Sequence, residues 1–398
     1  MPSRTLAGED GVMEKRIQVL QRELTKSGFA GAIINCSRDL FYYSGTTIPS
    51  WLAVSPSDYR LFVRGEIALA RRQAVLGKER IVSSRKPQDI SAFFPAGAAV
   101  IGTELDVMTV TQLSHFQKYF PGVEFADISP VILAQRKVKE PGEIPLLRGA
   151  CAVVHLGHER VLETLREGMT ELDLAAEVED AHRRGGHEGI FFIRLPDFYM
   201  SRGPISSGTN LFENTGVVYT ITGVGLTPSM PAGPSRRRIS RGDVIVIDIP
   251  VLVNGYHADQ SRTYVLGRAA PEILSMYDDL KTIADYLICE IRPGMTSADV
   301  CRMAFGMAAR LGREGQFQSF GPGQRSRLIG HGIGVELNEP PVIMENDLSR
   351  IEEGYVIALD IHMLDRAIGA VKLEDMVLVG RAGNEILNIS PRSLFEIT

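Results

Sequence analysis

Two stretches of the chain, GDVIVIDIPVL at residues 242–252 and GYVIALDIHML at residues 354–364, are versions of one sequence. Six of the eleven aligned positions are identical, and each stretch carries an aspartate, Asp248 or Asp360, inside an apolar run. Burying a lone carboxylate is costly unless the group is paired, protonated or bound to a cation. Two such aspartates at equivalent positions therefore predict a site shared by two duplicated strands.

A second pair of similar stretches occurs in the same order along the chain. Residues 168–175, GMTELDLA, resemble residues 294–301, GMTSADVC, and in both a Thr precedes an Asp by three residues. This spacing is close to a capping box and predicts the start of a helix. The two pairs are offset by 126 and 112 residues. We interpret these offsets as a duplicated half-domain, because short-period repeat proteins have periods of about 20–50 residues.

The composition is that of an ordinary globular protein. The chain has 398 residues, of which 44% are apolar and 23% charged, and its formal net charge is −5. These values exclude a collagen-like or disordered chain, and the negative charge argues against a nucleic-acid partner. We find no uncharged apolar stretch of about 18 residues, so we expect no membrane span. Residues 1–16 lack the apolar segment of a signal peptide, and we therefore expect a cytoplasmic protein.

The first part of the chain alternates between helix and strand patterns, which predicts an α/β domain. Apolar spacing predicts a helix over residues 14–27. Short apolar runs predict strands over residues 30–34, 59–63, 67–70 and 98–101. Residues 135–143 are highly charged and broken by Pro-Gly, which is typical of a linker. We therefore predict two domains, 1–140 and 141–398.

The dipeptide Asn254-Gly255 is a strong hairpin signal directly after the first repeated strand. If these residues form the turn, position i pairs with position 509 − i, and Asp259 lies opposite Pro250. Asp259 is then a diagonal neighbour of Asp248 on the same face of the hairpin. Two carboxylates this close repel each other unless one is protonated or a cation lies between them.

The second half of the duplication has a similar pair of carboxylates. Asp360 is followed by Glu374, which we expect to occupy the position equivalent to Asp259 in the first half. Four carboxylates from two hairpins are suited to one or two divalent cations. His331, in the glycine-rich stretch GHGIG at residues 330–334, is a fifth candidate ligand, and we expect this stretch to be a loop.

The motifs together resemble the pita-bread metallohydrolases, which include methionine aminopeptidase, aminopeptidase P, prolidase and creatinase. Residues 14–135 resemble the creatinase-type N-terminal domain, and residues 144–398 resemble the duplicated catalytic domain. The resemblance implies a mixed α/β (α+β) architecture, with a small α/β domain followed by the duplicated pita-bread domain. The matching motifs are residues 247–248, GYHADQSRT at 255–263, GHGIG at 330–334 and KLED at 372–375.

The resemblance also implies a ligand set and a reaction. The implied ligands of two divalent ions (Mn, Co, Zn or Fe) are Asp248, Asp259, His331, Asp360 and Glu374, with Asp259 and Glu374 bridging the ions. The ions would activate a water molecule and polarise the scissile carbonyl. Asp360 stands where the family usually has glutamate and would act as the general base. The implied enzyme hydrolyses a peptide C–N bond as an Xaa-Pro dipeptidase or aminopeptidase, and is a homodimer.

Two positions depart from the peptidase pattern. Peptidase members usually carry a histidine about 17 residues before the first metal aspartate, a region that is Pro-Ser-Met-Pro at residues 228–231 here. They carry another histidine seven residues after the metal histidine, where this chain has Asn338. Asn338 can hydrogen-bond a substrate but cannot act as a general acid. His362 has the parity of Asp360 along the strand, so it is a candidate for substrate binding or for the core.

These departures leave two alternatives to a peptidase. The first is a non-peptidase hydrolase or lyase of a small molecule on the same scaffold, either metal-dependent or of the creatinase type. The second is a catalytically silent binding protein. The retained ligand set favours an enzyme over both the metal-free creatinase type and the silent protein.

Overall fold

A computed structural model describes residues 11–198, 200–216 and 220–398. Contacts divide the chain into a first unit, Met1–Arg136 with Arg194–Pro196, and a second unit, Lys137–Ile193 with Asp197–Thr398. Residues 1–10, where we expected no signal peptide, lie outside the described residues. Within the described part of the chain, no helix is both long and apolar enough to span a membrane.

The first unit is built on a mixed six-stranded sheet in the order β4-β3-β2-β1-β5-β6. Its first helix buries Ile17, Leu20 and Leu24 on one face, as the apolar spacing predicts. The elements are α1 Val12–Lys26, β1 Gly31–Ile34, α2 Ser37–Ser44, β2 Ser50–Val54, β3 Tyr59–Val63, α3 Ile67–Gln73, β4 Ile81–Ser83, α4 Pro87–Ser91, β5 Val100–Thr103, α5 Val110–Gln117, β6 Glu124–Asp127 and α6 Ser129–Lys137.

The predicted strand at residues 67–70 is wrong, because this segment opens helix α3. The Glu66 side chain accepts a hydrogen bond from the Ala68 N–H and caps the helix. The sequence Ile-Ala-Leu-Ala-Arg-Arg-Gln is rich in good helix formers, and a four-residue apolar run does not distinguish the two structures. The predicted strand at 98–101 is shifted to β5, Val100–Thr103.

The second unit is built on a large, mainly antiparallel sheet whose strands follow the order β15-β14-β16-β17-β11-β8-β7, with β18 beside β17 and β19 beside β11. The elements are α7 Ile144–Thr164, α8 Glu171–Gly185, β7 Ile205–Ser207, β8 Val244–Asp248, β9 Val251–Val253, β10 Tyr256–Ala258, β11 Ser261–Leu266, α9 Pro271–Glu290, α10 Ser297–Arg310, β12 Ser319–Gly321, β13 Gln324–Arg325, β14 Leu328–Gly332, β15 Glu339–Met344, β16 Val356–Asp365, β17 Gly369–Leu378, β18 Glu385–Ile386 and β19 Phe395–Ile397.

The duplication is visible in this unit. Thr170 and Thr296 both accept a hydrogen bond from the backbone N–H three residues later, and both form complete capping boxes at the starts of α8 and α10. The repeated strands are β8 and β16, and their hairpin partners β11 and β17 lie side by side at the centre of the sheet. The two halves therefore meet along β11 and β17, and the mixed α/β fold class is confirmed.

Candidate metal centre

The first hairpin has the register that its turn predicts. Val253 pairs with Tyr256 on β9 and β10, and Asp248 pairs with Ser261 on β8 and β11, so paired residues sum to 509 in both cases. Asn254 has a φ of 51° and Gly255 a φ of 80°, the left-handed conformations that this two-residue turn requires. Asp248 and Asp259 are therefore brought to the same region, as predicted.

The second hairpin differs from the expectation in its register. Asp360 lies directly opposite Glu374 on β16 and β17. Glu374 also lies opposite Ser261 on β11, so it occupies the position of Ser261 in the first half rather than that of Asp259. The difference arises because Asp259 precedes β11, whereas Glu374 lies in the middle of β17. Asp248, Ser261, Glu374 and Asp360 thus form one row across four neighbouring strands.

His331 lies on strand β14, whereas we expected a loop. Its flanking glycines are needed because the strand packs closely against neighbouring main chain. A Cβ atom on Gly330 would lie 2.5 Å from the carbonyl oxygen of Ala358, and one on Gly332 would lie 2.3 Å from that of Pro340. The two glycines therefore allow β14 to fit between β15 and β16 and to carry His331 to the row of carboxylates.

One hydrogen bond defines the tautomer of His331. Its Nδ1 lies 3.0 Å from the carbonyl oxygen of Gly332, which accepts a proton but cannot donate one. Nδ1 therefore carries the hydrogen, and the lone pair of Nε2 points at the acidic residues. Nε2 lies 3.9 Å from Asp259 Oδ2 and 3.8 Å from Glu374 Oε1.

Asp259, His331 and Glu374 form a buried cluster that is suited to a divalent cation. One ligand atom from each lies within 4.8 Å of the others. Glu374 Oε1 is buried and has no hydrogen-bond partner among the described residues, which leaves a carboxyl oxygen for a ligand to satisfy. Two carboxylates and one imidazole are donors that Mn, Fe, Co and Zn accept. These three residues therefore fit one divalent ion of the predicted kind, whereas the prediction is of two ions.

Burial and mutual repulsion dominate the electrostatics of this cluster. Burial, followed by the charge of Asp248, raises the pKa of Asp259 well above its ordinary value. Burial, followed by the charge of Asp259, does the same to the pKa of Glu374. Burial lowers the pKa of His331, which keeps its imidazole neutral and able to bind a metal. A cation between the two acids would relieve their repulsion.

The other two predicted ligands, Asp248 and Asp360, contact the ammonium group of Lys372. Lys372 Nζ contacts Asp248 Oδ2 and lies 3.1 Å from Asp360 Oδ1. Burial alone would lower the pKa of Lys372, but the charges of Asp248 and Asp360 outweigh it and raise this pKa above its ordinary value. Burial raises the pKa of Asp248, although Lys372 opposes the shift.

Side chains behind the ligands hold their positions. Ser261 Oγ donates a hydrogen bond to Glu374 Oε2 at 2.9 Å. Arg262 donates to the Glu374 carbonyl at 2.8 Å and forms a buried ion pair with Asp375 at 2.7 Å. The Asn388 side chain donates to the Asp259 carbonyl at 3.0 Å and accepts a hydrogen bond from the Met376 backbone N–H at 2.6 Å. These bonds connect the ligand-bearing segments of the two halves.

The two predicted substrate-binding residues have different environments. Asn338 is half-buried, and its backbone forms an isolated bridge with Ile193. His362 lies opposite Lys372, but its imidazole is fully buried, with Nε2 donating to the Ser319 carbonyl at 3.1 Å. Its ring centroid lies 5.0 Å from that of Phe320, and burial lowers its pKa to about 4. The imidazole of His362 therefore points toward β12.

Lys372 is the site residue that the sequence analysis missed. The motif KLED at residues 372–375 contributes Glu374 to the predicted ligands but predicts no role for Lys372. The available signal was its position two residues before Glu374, which places both side chains on one face of a strand. A lysine on the buried face of a strand requires an acidic partner, and Asp248 and Asp360 were already candidates.

Comparisons with known proteins agree with this geometry. The family model described as metallopeptidase family M24 matches residues 145–381, and the model described as creatinase/prolidase N-terminal domain matches residues 16–138. These matches confirm the resemblance and the type of enzyme that the motifs predict.

Individual relatives align over nearly the whole chain. An Xaa-Pro dipeptidase of Pyrococcus furiosus is 25% identical over 386 residues, covering 96% of this chain and 100% of the relative. A probable dipeptidase, PepE, of Mycobacterium tuberculosis is 25% identical over 414 residues, covering 100% and 99%. The solved structure of an Xaa-Pro dipeptidase from Bacillus anthracis has a TM-score of 0.81 at 20% identity, covering 96% of this chain and 99% of that one. At this identity, the structural similarity establishes the fold.

Proposed function

The chain belongs to metallopeptidase family M24, and from this premise we propose that it is a dipeptidase that cleaves Xaa-Pro dipeptides. As a member of this family it is a metal-dependent hydrolase of peptide C–N bonds. The choice of substrate is our proposal. It is supported by the names of full-length relatives, among them the Xaa-Pro dipeptidase of Pyrococcus furiosus.

The observation that carries the proposal is the buried cluster of Asp259, His331 and Glu374. All three ligand atoms lie within 4.8 Å of one another, and the three side chains are buried. A silent binding protein would have no need to retain a costly buried pair of carboxylates beside a neutral imidazole. The cluster therefore favours an enzyme over the silent alternative.

We propose that Asp259, His331 and Glu374 hold a divalent ion of the Mn, Co, Zn or Fe type. Such an ion, when bound, lowers the pKa of a bound water and polarises a scissile carbonyl. Ser261 and Arg262 keep Glu374 in position, through its Oε2 and its carbonyl respectively. Asp360 lies directly opposite Glu374, and we propose that its carboxylate accepts the proton of the attacking water.

Asn338 and His362 stay as proposed substrate contacts. Asn338 is half-buried, and its amide can donate to a substrate carbonyl or accept from an amine. His362 is neutral because burial lowers its pKa to about 4, and its Nδ1 has no partner among the described residues. Its Nε2 already donates a hydrogen bond to the Ser319 carbonyl, so Nδ1 is the atom that could accept a hydrogen bond from a substrate.

A panel of dipeptides tests the proposed substrate. We expect Xaa-Pro dipeptides to be hydrolysed in the presence of Mn²⁺, Co²⁺ or Zn²⁺, and the matched Xaa-Ala dipeptides to be hydrolysed at least about tenfold more slowly. A tripeptide Xaa-Pro-Ala in the same panel distinguishes a dipeptidase from an aminopeptidase. Hydrolysis of small-molecule amides with no cleavage of any peptide would contradict the proposal and favour the creatinase-like alternative.

Two further expectations belong to this proposal. We expect a homodimer and a cytoplasmic location, as in the sequence-based prediction. Sedimentation at micromolar protein concentration tests the first, and fractionation of cells that produce the protein tests the second. The predicted number of two metal ions conflicts with the contacts that Lys372 makes with Asp248 and Asp360.

A further inference from the structure

Lys372 is a fully buried lysine whose ammonium group meets three carboxylates. Its side chain is 0% exposed, and Nζ contacts Asp248 Oδ2, lies 3.1 Å from Asp360 Oδ1 and lies 3.6 Å from Glu374 Oε2. An ammonium group has three donors and no acceptor. Three carboxylate oxygens from three different acids therefore surround the ammonium group, and Asp248 Oδ2 accepts a hydrogen bond from it.

The carboxylate of Glu374 divides the centre into two halves. Its Oε2 faces Ser261 Oγ at 2.9 Å and Lys372 Nζ at 3.6 Å. Its Oε1 faces His331 Nε2 at 3.8 Å and has no hydrogen-bond partner among the described residues. One half of the centre is therefore already filled by a cation, and the other half presents an unsatisfied oxygen.

Hydrogen bonds between the Thr263 side chain and the backbone of Lys372 hold this residue in position. Thr263 Oγ1 donates to the Lys372 carbonyl at 2.7 Å and accepts from the Lys372 N–H at 2.9 Å. The residue lies on the central strand β17 between β11 and β16. Because the surrounding elements are packed and the side chain is fully buried, its ammonium group cannot leave for solvent without rearranging the centre.

We propose that Lys372 serves as a built-in monovalent cation for Asp248 and Asp360, so that the centre binds one divalent ion, at Asp259, His331 and Glu374. A second divalent ion between Asp248 and Asp360 would lie against the ammonium group, and two cations repel strongly in a buried site. This inference rests on the proposed metal-dependent function of the same centre. It revises the two-ion expectation through the chain's own lysine.

Metal stoichiometry tests this inference independently of activity. The full-length protein is stripped of metal, titrated with Mn²⁺ by calorimetry, and analysed for bound Mn by mass spectrometry after desalting. We expect one ion per chain for the wild type and for Lys372→Arg, which keeps the positive charge. We expect two ions per chain for Lys372→Met, because the freed carboxylates then require a cation.

A surface lysine provides the matched control. Lys281 pairs with Asp285 at 2.6 Å on the exposed face of α9, so Lys281→Met should leave the stoichiometry at one. Two ions per wild-type chain would overturn the inference while leaving the proposed function intact, and this outcome does not depend on any variant folding. A single ion in a folded Lys372→Met protein would also overturn it. No bound ion in the wild type would overturn the proposed function and this inference together.

Discussion

Lys372 Nζ lies 3.1 Å from Asp360 Oδ1, and the two side chains extend from neighbouring strands on the same buried face of the sheet. The ion pair connects the residue that the sequence analysis missed to the residue that it proposed as the general base. Its energetic consequences follow from burial. A buried charge that loses its partner is much more costly than a buried pair replaced as a whole.

The first prediction is a double-mutant cycle on this pair. Asp360→Asn should lower the free energy of unfolding by about 2 kcal/mol, because it removes a carboxylate 3.1 Å from a buried ammonium that keeps Asp248 as its partner. In a Lys372→Met background the same change should cost no more than about 1 kcal/mol. Urea denaturation of the four metal-free proteins measures the coupling. Equal costs in the two backgrounds would show that the two side chains do not interact.

A second prediction concerns the close packing around His331. In Gly332→Ala the new Cβ would lie 2.3 Å from the Pro340 carbonyl oxygen, so β14 must move away from β15. We expect a loss of about 1–3 kcal/mol in stability and at least about tenfold weaker Mn²⁺ binding, since His331 moves with the strand. Gly306→Ala is the control, because its Cβ on helix α10 would meet nothing within 4 Å. If both variants bind Mn²⁺ like the wild type, the glycine is not needed to position the ligand.

The third prediction concerns Ser261, which donates to Glu374 Oε2 at 2.9 Å. Ser261→Ala should weaken Mn²⁺ binding by about 10-fold, because a ligand carboxylate that loses its supporting hydrogen bond is less well oriented. Ser275→Ala is the matched control, since the Ser275 hydroxyl accepts from Arg313 on the surface of α9, away from the ligands. Calorimetric titration measures both affinities, and an unchanged affinity in Ser261→Ala would contradict a positioning role.

The sequence and the structure agree best where the signals are local. The turn Asn254-Gly255 and the two-residue period of a strand were sufficient to pair Asp248 with the region of Asp259, because both depend on a few adjacent residues. The duplication then indicated the equivalent aspartate, Asp360. The capping boxes at Thr170 and Thr296 were likewise predictable from a spacing of three residues.

The differences lie where distant segments decide the outcome. Lys372 acquires its role from Asp248 on β8 and Asp360 on β16, which are not its neighbours in sequence. The glycine-rich stretch around His331 predicts a loop, yet its glycines allow β14 to pack against main chain on both sides. A short apolar run predicts a strand over residues 67–70, but this segment opens α3, whose N-terminus is capped by Glu66.

The fourth prediction concerns acid stability and a buried histidine away from the metal centre. Burial lowers the pKa of His182 from 6.5 to about 4, and its Nε2 donates to the Val154 carbonyl at 3.3 Å. Between these pH values the unfolded chain binds a proton that the folded chain does not, so stability falls as the pH decreases. From pH 7 to pH 5 this single group should cost about 2 kcal/mol.

His182→Gln tests this pH dependence, because the amide can still donate to Val154 but does not titrate. We expect the variant to lose about 2 kcal/mol less than the wild type over the same pH interval. Urea denaturation followed by circular dichroism measures the difference. Tryptophan fluorescence is not suitable, because the single tryptophan, Trp51, lies in the first unit and His182 lies in the second. His115→Gln, at an exposed position on α5, should behave like the wild type. An identical pH dependence in His182→Gln and the wild type would contradict the prediction.

The central claim is that the cluster of Asp259, His331 and Glu374 makes peptide hydrolysis dependent on a divalent metal. The most direct measurement is the rate of Xaa-Pro dipeptide hydrolysis by metal-stripped protein as Mn²⁺ is added back, for the wild type and for Glu374→Gln. We predict no hydrolysis without metal, recovery in the wild type as the ion binds, and a rate at least about 100-fold lower in Glu374→Gln at every Mn²⁺ concentration. Hydrolysis by the stripped wild-type protein at the full rate, or by Glu374→Gln at the wild-type rate, would contradict the claim.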